Sequence, residues 1–361
     1  MSKRTTVLKN PTVKLFAIIL ILVVFAFVGC LIALNQMAKA YDPSDKTVVT
    51  VTIPSGSTTE SIGQILVKKG VIESADAFKY YSKFKSYDGN YKAGSYALSA
   101  SYSMDKIAKI IESGKTNDIT FTIPEGYTEY DVAKKLSKLG IVNKTEFTSL
   151  LEGGSFTGKY SFLKGAQSGS HNLEGYLFPS TYSVAANADG STIINAMLKK
   201  YDSIFTAKYK ARAKKLGYTE NEIIIVASII EKESGVDKDR AKIASVIYNR
   251  LDDGMPLQMD STVQYVLGLD NNRKKDLSND DTEVNSPYNT YQNTGLPPGP
   301  ICCPGEASIK AALYPADTKY MYFILSDKLD DSMSFSVTYK QFLKDKDAYY
   351  EARDKSEKDN D

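Results

Sequence analysis

The segment from Leu15 to Leu34 is twenty consecutive residues without a charge or a strongly polar side chain, and it constrains the chain more than any other feature. As a helix rising ~1.5 Å per residue it is about 30 Å long, the thickness of a bilayer's hydrocarbon core. Lys3, Arg4, Lys9 and Lys14 precede it, and the positive-inside rule assigns that end, residues 1–14, to the cytoplasm. A cleaved signal peptide is the alternative, but its apolar region is usually shorter and ends in small residues. Phe27-Val28-Gly29-Cys30 has the look of a lipoprotein cleavage site, yet Leu31 to Leu34 stay apolar where a lipoprotein turns polar. The reading adopted is an uncleaved single-pass anchor over 15–34, with everything after Asn35 outside the cytoplasmic membrane.

With 361 residues, the chain has room for two or three cores behind this anchor. Its 45 basic and 43 acidic residues nearly balance, so no large positive field points to nucleic acid. A single histidine, His171, excludes multi-histidine metal sites and leaves little for a His-based triad. Cys302 and Cys303 are adjacent and rarely bridge each other without distorting the peptide. A thiol nucleophile served by His171 has no local support, and thiols outside the cytoplasm are prone to oxidation.

Residues 35–47 read as a polar linker containing Pro43. From Val48 the sequence alternates, with Val49, Val51 and Ile53 against Thr50 and Thr52, and Pro54-Ser55-Gly56 ends the strand. Ser57 or Thr58 can cap a helix over about 60–69, with Gly70 as its stop. The phrase recurs 70 residues later: Thr52-Ile53-Pro54-x-Gly56-x-Thr58 returns as Thr122-Ile123-Pro124-x-Gly126-x-Thr128, and Gly70-Val71-Ile72 as Gly140-Ile141-Val142. Two copies do not make a solenoid, but they imply two related strand–turn–helix units. Between them lie a turn and strand, Tyr91 to Tyr96, and a helix over 104–112 capped by Ser103 and stopped by Gly114. Small units of this kind, here 48–119, resemble LysM-like modules that hold cell-wall glycans; an unliganded spacer is the plain alternative.

Further on, an amphipathic helix is expected over about 191–216, then one capped by Thr219 that runs through the apolar stretch to Glu233, then one over about 238–251. At ~100° per residue, Val226, Ile229, Ile230 and Glu233 share a face while Glu231 lands opposite. A carboxylate on a buried face costs several kcal/mol unless neutralised or protonated, and a helix C-terminus disfavours its charge further. Glu233 is therefore the candidate general acid, which near neutral pH needs a raised pKa. The structural alternative is a staple to Arg240 or Arg250. Asp260 is either a second carboxylate or a helix cap. Ser286-Pro287-Tyr288-Asn289-Thr290-Tyr291 alternates rings with hydrogen-bonding groups, a combination suited to sugars. Thr294 to Pro300 is a stiff loop, either a cleft wall or a connector, and Tyr320 to Ile324 reads as a core strand.

Several of these stretches resemble, in order, the endolytic murein transglycosylases of the MltG/YceG-like family. They are Glu174-Gly175-Tyr176-Leu177-Phe178-Pro179-x-Thr181-Tyr182, Ala227-Ser228-Ile229-Ile230-Glu231-Lys232-Glu233, Ala244-Ser245-Val246-x-x-Asn249-Arg250-Leu251 and Leu257-Gln258-x-Asp260-x-Thr262-Val263. Tyr288-Asn289-Thr290-Tyr291, Gly295-Leu296-Pro297-Pro298-Gly299-x-Ile301 and Pro304-Gly305 ahead of Ala311-Ala312 continue the series. The resemblance implies an α+β protein with a transmembrane helix, a LysM-like module and a transglycosylase catalytic domain over 120–346 with a lysozyme-like helical site, followed by a polar tail, 347–361. It implies cleavage of MurNAc–GlcNAc β-1,4 bonds to 1,6-anhydro-MurNAc ends, acting on nascent strands during wall elongation. Glu233 would be the catalytic residue, with Gln258, Asp260, Tyr288, Asn289, Tyr291 and Asn249 as substrate contacts, and no metal or cofactor. The implied partners are peptidoglycan strands, the cytoplasmic membrane and cell-wall synthesis proteins. One departure is Met333, where family members usually carry a histidine two residues before the phenylalanine of the last strand. From another class, the rival reading is a non-catalytic, membrane-anchored peptidoglycan-binding scaffold.

Overall fold

The structure, a computed structural model, describes residues 11–165, 171–186, 188–269 and 272–360. Lys3, Arg4 and Lys9 lie outside the described residues, as do the side chains of Lys14 and Cys30. The chain divides into two compact units, one of Met1–Thr120 with Ser183–Asn187, the other of Phe121–Tyr182 with Ala188–Asp361.

In the first unit, α1 (Pro11–Met37) is the expected apolar helix. Its part Leu15–Met37 is long and apolar enough to cross a membrane, and its large side chains from Leu15 to Val28, with Ile32, are exposed. β1 (Val48–Ile53) pairs antiparallel with β2 (Gly94–Ser99), Val51 opposite Tyr96. The alternation read from the sequence turns Val51 and Ile53 inward. α2 (Thr59–Lys68) is capped by Thr58, whose hydroxyl accepts from the Ser61 amide. α3 (Ala75–Phe84), which no sequence signal had marked, buries Phe78 and Tyr81. α4 (Met104–Ser113) is capped by Ser103 and ends at Gly114, φ +68°. These elements enclose one core of Val51, Ile53, Leu66, Phe78, Tyr96 and Ile111 among others.

The second unit contains the ends of β3 (Asp118–Ile123) and β4 (Ser180–Ala185) that meet through Phe121 and Tyr182, whose rings stack at 5.6 Å. α5 (Glu129–Lys138) starts with a capping box between Thr128 and Asp131, and α6 (Lys144–Glu152) follows. The helix expected over 191–216 is two helices, α7 (Gly190–Ile204) and α8 (Ala207–Leu216). The break lies at Phe205, a buried ring stacked on Tyr201 and edge-on to Tyr209; Thr206 then begins α8 with extended backbone.

α9 (Glu220–Glu233) carries the Thr219–Glu222 capping box, and every residue from Ile223 to Ile230 is buried. It is the central helix of this unit and has no solvent face over those two turns. α10 (Arg240–Asp252), α11 (Asp260–Val266), the single turn α12 (Asn279–Thr282) and α13 (Glu306–Leu313) follow, with α10, α11 and α13 packed on α9. β5 (Tyr322–Leu325) pairs antiparallel with β6 (Met333–Ser336). β5 is half-buried along its length, so it is a wall rather than the core strand expected. α14 (Tyr339–Asn360) takes up most of the stretch read as a polar tail.

Candidate active site

The buried length of α9 carries its last turn into a cleft of about 960 Å3, lined by Glu233, Glu231, Gln258, Asp260 and Tyr291 among others. Three segments position these groups. Arg250, buried on α10, donates from Nε to the Met321 carbonyl (2.7 Å) and from Nη1 to the carbonyls of Pro256 (3.1 Å) and Leu257 (2.8 Å) and to Gln258 Oε1 (3.2 Å). It thereby ties β5 to the loop carrying Gln258, whose φ of +54° is left-handed. A non-glycine residue held there stores strain of order 1–3 kcal/mol, and the Arg250 bonds, with the Gln258 amide donating to the Thr290 carbonyl at 3.0 Å, hold it in place. The third segment is the turn at Glu125-Gly126, held beside α9 by mutual backbone bonds from Gly126 N to Cys303 O (3.0 Å) and from Cys303 N to Tyr127 O (2.8 Å).

The two glutamates at the end of α9 both line the cleft, which corrects the expectation that Glu231 points away from it. A helix buried on all sides offers no apolar stripe from which to sort them. Their partners do. Glu231 is 8% exposed at its side chain; its Oε1 lies 3.4 Å from Arg240 Nη1, and its Oε2 accepts from the Gly305 amide (2.9 Å) and the Ser308 hydroxyl (2.8 Å). The arginine staple weighed for Glu233 thus belongs to its neighbour. Glu233 has no arginine within ion-pair distance among the described residues; its Oε1 accepts from the Ser261 amide at 3.1 Å. Burial raises the Glu233 pKa above its usual value; the Ser261 hydrogen bonding and the Arg273 charge pull it back, and the Asp260 charge pushes it up.

Asp260 begins α11 but does not cap it. Its Oδ1 accepts the Tyr291 hydroxyl, whose proton is held more tightly than usual, first by burial and then by the Asp260 charge. Asn249, Tyr288 and Asn289 are not among the cleft-lining residues. Asn249 Nδ2 donates to the carbonyls of Thr318 and Tyr320, and Asn289 Nδ2 to those of Thr282 and Val284. Tyr288 is buried, with its ring on Tyr265. All three were expected as substrate contacts; in the structure Asn249 and Asn289 hold backbone carbonyls and Tyr288 packs on a ring, outside the cleft lining. The loop from Thr294 is a connector that ends with Pro300 against Gly175. Met333 does line the cleft. Cys302 and Cys303 are buried and free, burial pushes both thiols up, and Cys303 Sγ is 3.9 Å from Glu174 Oε1.

Other lining residues escaped the sequence reading. Glu125 faces Glu231, and burial followed by that neighbouring charge raises its pKa. Tyr339, Phe342, Lys346, Tyr349 and Tyr350 of α14 and Tyr322 of β5 make an aromatic side to the cleft, and Tyr322 stacks on Phe342 at 5.4 Å. The spacing 339, 342, 346, 349/350 is one helix face, a signal legible in the sequence. Away from the lining residues, Glu129, His171 and Glu174 each bring a ligand-type atom to within 4.8 Å of the others.

The site defines a class: a protein with carboxyl groups of raised pKa, Glu233 and Glu125, in a ring-lined cleft, the kind of site that acid–base catalysts use. Comparison with known proteins is more specific. The YceG-like family matches residues 51–348. An endolytic murein transglycosylase of Bacillus subtilis (strain 168) is 36% identical over 332 residues, covering 88% of this chain and 89% of that protein. One from Streptococcus pneumoniae serotype 2 is 34% identical over 310 residues, 78% of this chain and 55% of that longer protein. A crystal structure of a YceG-like protein from Listeria monocytogenes aligns with a TM-score of 0.56 at 37% identity, covering 83% of this chain and 99% of that one. The chain belongs to the YceG-like family.

Proposed function

We propose that this protein is a membrane-anchored endolytic lytic transglycosylase that cleaves MurNAc–GlcNAc β-1,4 bonds within peptidoglycan strands and leaves 1,6-anhydro-MurNAc ends. The observation that carries the reading is the contrast at the end of α9. Glu231 is engaged by Arg240, Gly305 and Ser308, whereas among the described residues Glu233 has Ser261 alone as a hydrogen-bonding partner, and its pKa is raised. A carboxyl group whose protonated form burial favours is suited to give its proton to a leaving group.

In this mechanism Glu233 protonates the oxygen leaving C1 of MurNAc. As carboxylate, it then takes the proton from the C6 hydroxyl of the same sugar while that oxygen bonds C1. The nucleophile comes from the substrate, so the second carboxylate of an ordinary glycosidase is not required. Gln258, Asp260 and Tyr291 are the sugar contacts retained from the sequence reading, and the aromatic side of the cleft suits the C–H faces of an extended glycan. The relatives' names, endolytic murein transglycosylase, support the substrate class. α1 serves as the anchor, with residues 1–14 cytoplasmic, and residues 48–119 as a LysM-like glycan-holding module. Cell-wall synthesis proteins are its proposed partners.

Digestion of purified glycan strands by wild type and Glu233→Gln, read by mass spectrometry, tests the reading. Anhydro ends from wild type and none from the variant are expected. Reducing ends would make the enzyme a hydrolase with Asp260 as the second carboxylate, and an active variant would remove Glu233 from the chemistry. A wild type inactive on every strand length would favour the scaffold.

A further inference from the structure

We infer that Glu129, His171 and Glu174 form a binding site for a single divalent transition-metal ion, with Zn2+ the best match to its ligands. The site belongs to the second unit and stands apart from the proposed chemistry at Glu233. Glu129 is the first residue of α5, and its amide donates to both carboxylate oxygens of Glu174, at 3.2 and 3.3 Å. Glu174 is fixed in turn by Gly175, whose φ of +88° and close approach to Pro300 leave the turn no other course. His171 Nδ1 lies 2.9 Å from Glu129 Oε1.

The second observation is an unanswered oxygen. Glu129 is 4% exposed, and its Oε2 is buried without a hydrogen-bond partner, while Oε1 of the same carboxylate meets His171. The Leu173 backbone amide favours the charged form of the same carboxylate. A buried carboxylate oxygen left bare costs free energy unless a proton or cation answers it. Glu174 is also buried, at 2% exposed, so two carboxylates share this pocket with one imidazole. One divalent ion would answer both carboxylates and a neutral imidazole at once.

The donor set chooses the metal. Mg2+ and Ca2+ take oxygen ligands, whereas an imidazole with two carboxylates suits Zn2+. Ligand atoms on a Zn2+ ion stand about 3.3 Å apart for bond lengths near 2.0–2.2 Å. The 4.8 Å spread of these three therefore closes by about 1.5 Å on binding, within the reach of glutamate and histidine rotamers. His171 is about half exposed at its side chain and gives the ion its way in. A bound ion would clamp the Leu173–Gly175 turn to the start of α5, beside Tyr127 and Asp131 of the cleft wall.

The test titrates the full-length, metal-stripped protein with ZnCl2, reading calorimetry and thermal shift, and takes Zn K-edge absorption spectra of the loaded protein. One Zn2+ per chain, a Tm rise reversed by EDTA, and a shell of nitrogen and oxygen alone are expected, with MgCl2 inert at the same concentration. His171→Ala and Glu129→Gln should weaken binding tenfold or more, whereas Glu233→Gln should bind as wild type. Sulfur in the shell, equal affinity in both variants, or no Zn2+ response in wild type would overturn the site. None of these readouts uses glycan cleavage, so the result stands whether or not the transglycosylase reading does.

Discussion

Exchanging the two glutamates of α9 one at a time for glutamine should separate stability from chemistry in opposite directions. Glu231→Gln keeps an oxygen to accept from the Gly305 amide and the Ser308 hydroxyl, but it removes the charge 3.4 Å from Arg240 Nη1. Arg240 is 13% exposed at its side chain; its other carboxylate, Asp237, is 88% exposed and compensates little. Breaking a buried pair from one side costs ~3–5 kcal/mol. With the two retained hydrogen bonds the expected loss is about 2–3 kcal/mol, or about 5–10 °C in Tm for a unit of this size. Glu233→Gln keeps the bond from the Ser261 amide and removes a carboxyl group that burial disfavours as an anion. The folded pKa of Glu233 lies above the unfolded value of 4.5, so its stabilising contribution is full below that value and is lost as pH rises through the folded value. The glutamine variant should therefore equal wild type near pH 4 and become the more stable of the two as pH rises past the usual glutamate range. Its glycan cleavage should fall at least ~10²–10⁴-fold, the worth of a general acid. Thermal melts from pH 4 to 8 and strand digestion on the same samples measure both. If Glu231→Gln melted within a degree of wild type, or if Glu233→Gln were the destabilised one, the assignment of staple and acid would be reversed.

Three further outcomes are expected. Gly175→Ala places a Cβ 2.6 Å from the Pro300 ring and 2.9 Å from Ile224 at a φ of +88°, and should destabilise by about 2–4 kcal/mol in urea titration; an unchanged midpoint would refute the tight turn. Tyr350→Ala with Tyr349→Ala should raise KM for long strands several-fold and leave kcat, since these rings line the cleft without a carboxyl group of their own; a loss confined to kcat would argue against a binding wall. Arg250→Lys keeps the charge but cannot reach four oxygens at once, so cleavage should drop about tenfold or more with the Gln258 loop released; full activity would show that loop to be self-supporting.

What was legible in the sequence was local. Thr58, Ser103, Thr128 and Thr219 cap their helices because a hydroxyl needs only the amide three residues on, and Gly114 and Gly217 end theirs with positive φ. The break between α7 and α8 was not legible, because Phe205 contacts Tyr201 and Tyr209, each four residues away, so the helical spacing of the apolar residues continues where the backbone does not. The choice of Glu233 over Glu231 rested on the family resemblance and on a helical face that α9 does not have; what distinguishes their surroundings is Arg240, Gly305 and Ser308, two of them more than seventy residues away. Asn249 and Asn289 look like sugar ligands in a motif, but their amides serve backbone carbonyls that no sequence spacing reveals.

The duplicated turn carries a consequence of its own. Gly56 and Gly126 have φ of +79° and +75°, Gly70 and Gly140 +68° and +70°, and Thr58 and Thr128 share the same backbone angles to within a few degrees. Within that common backbone, the positions flanking the first glycine differ: Ser55 and Ser57 in one copy, Glu125 and Tyr127 in the other. Both of the latter line the cleft. The same backbone turn therefore serves in two settings, and in the second copy the two side chains that flank its glycine are cleft groups.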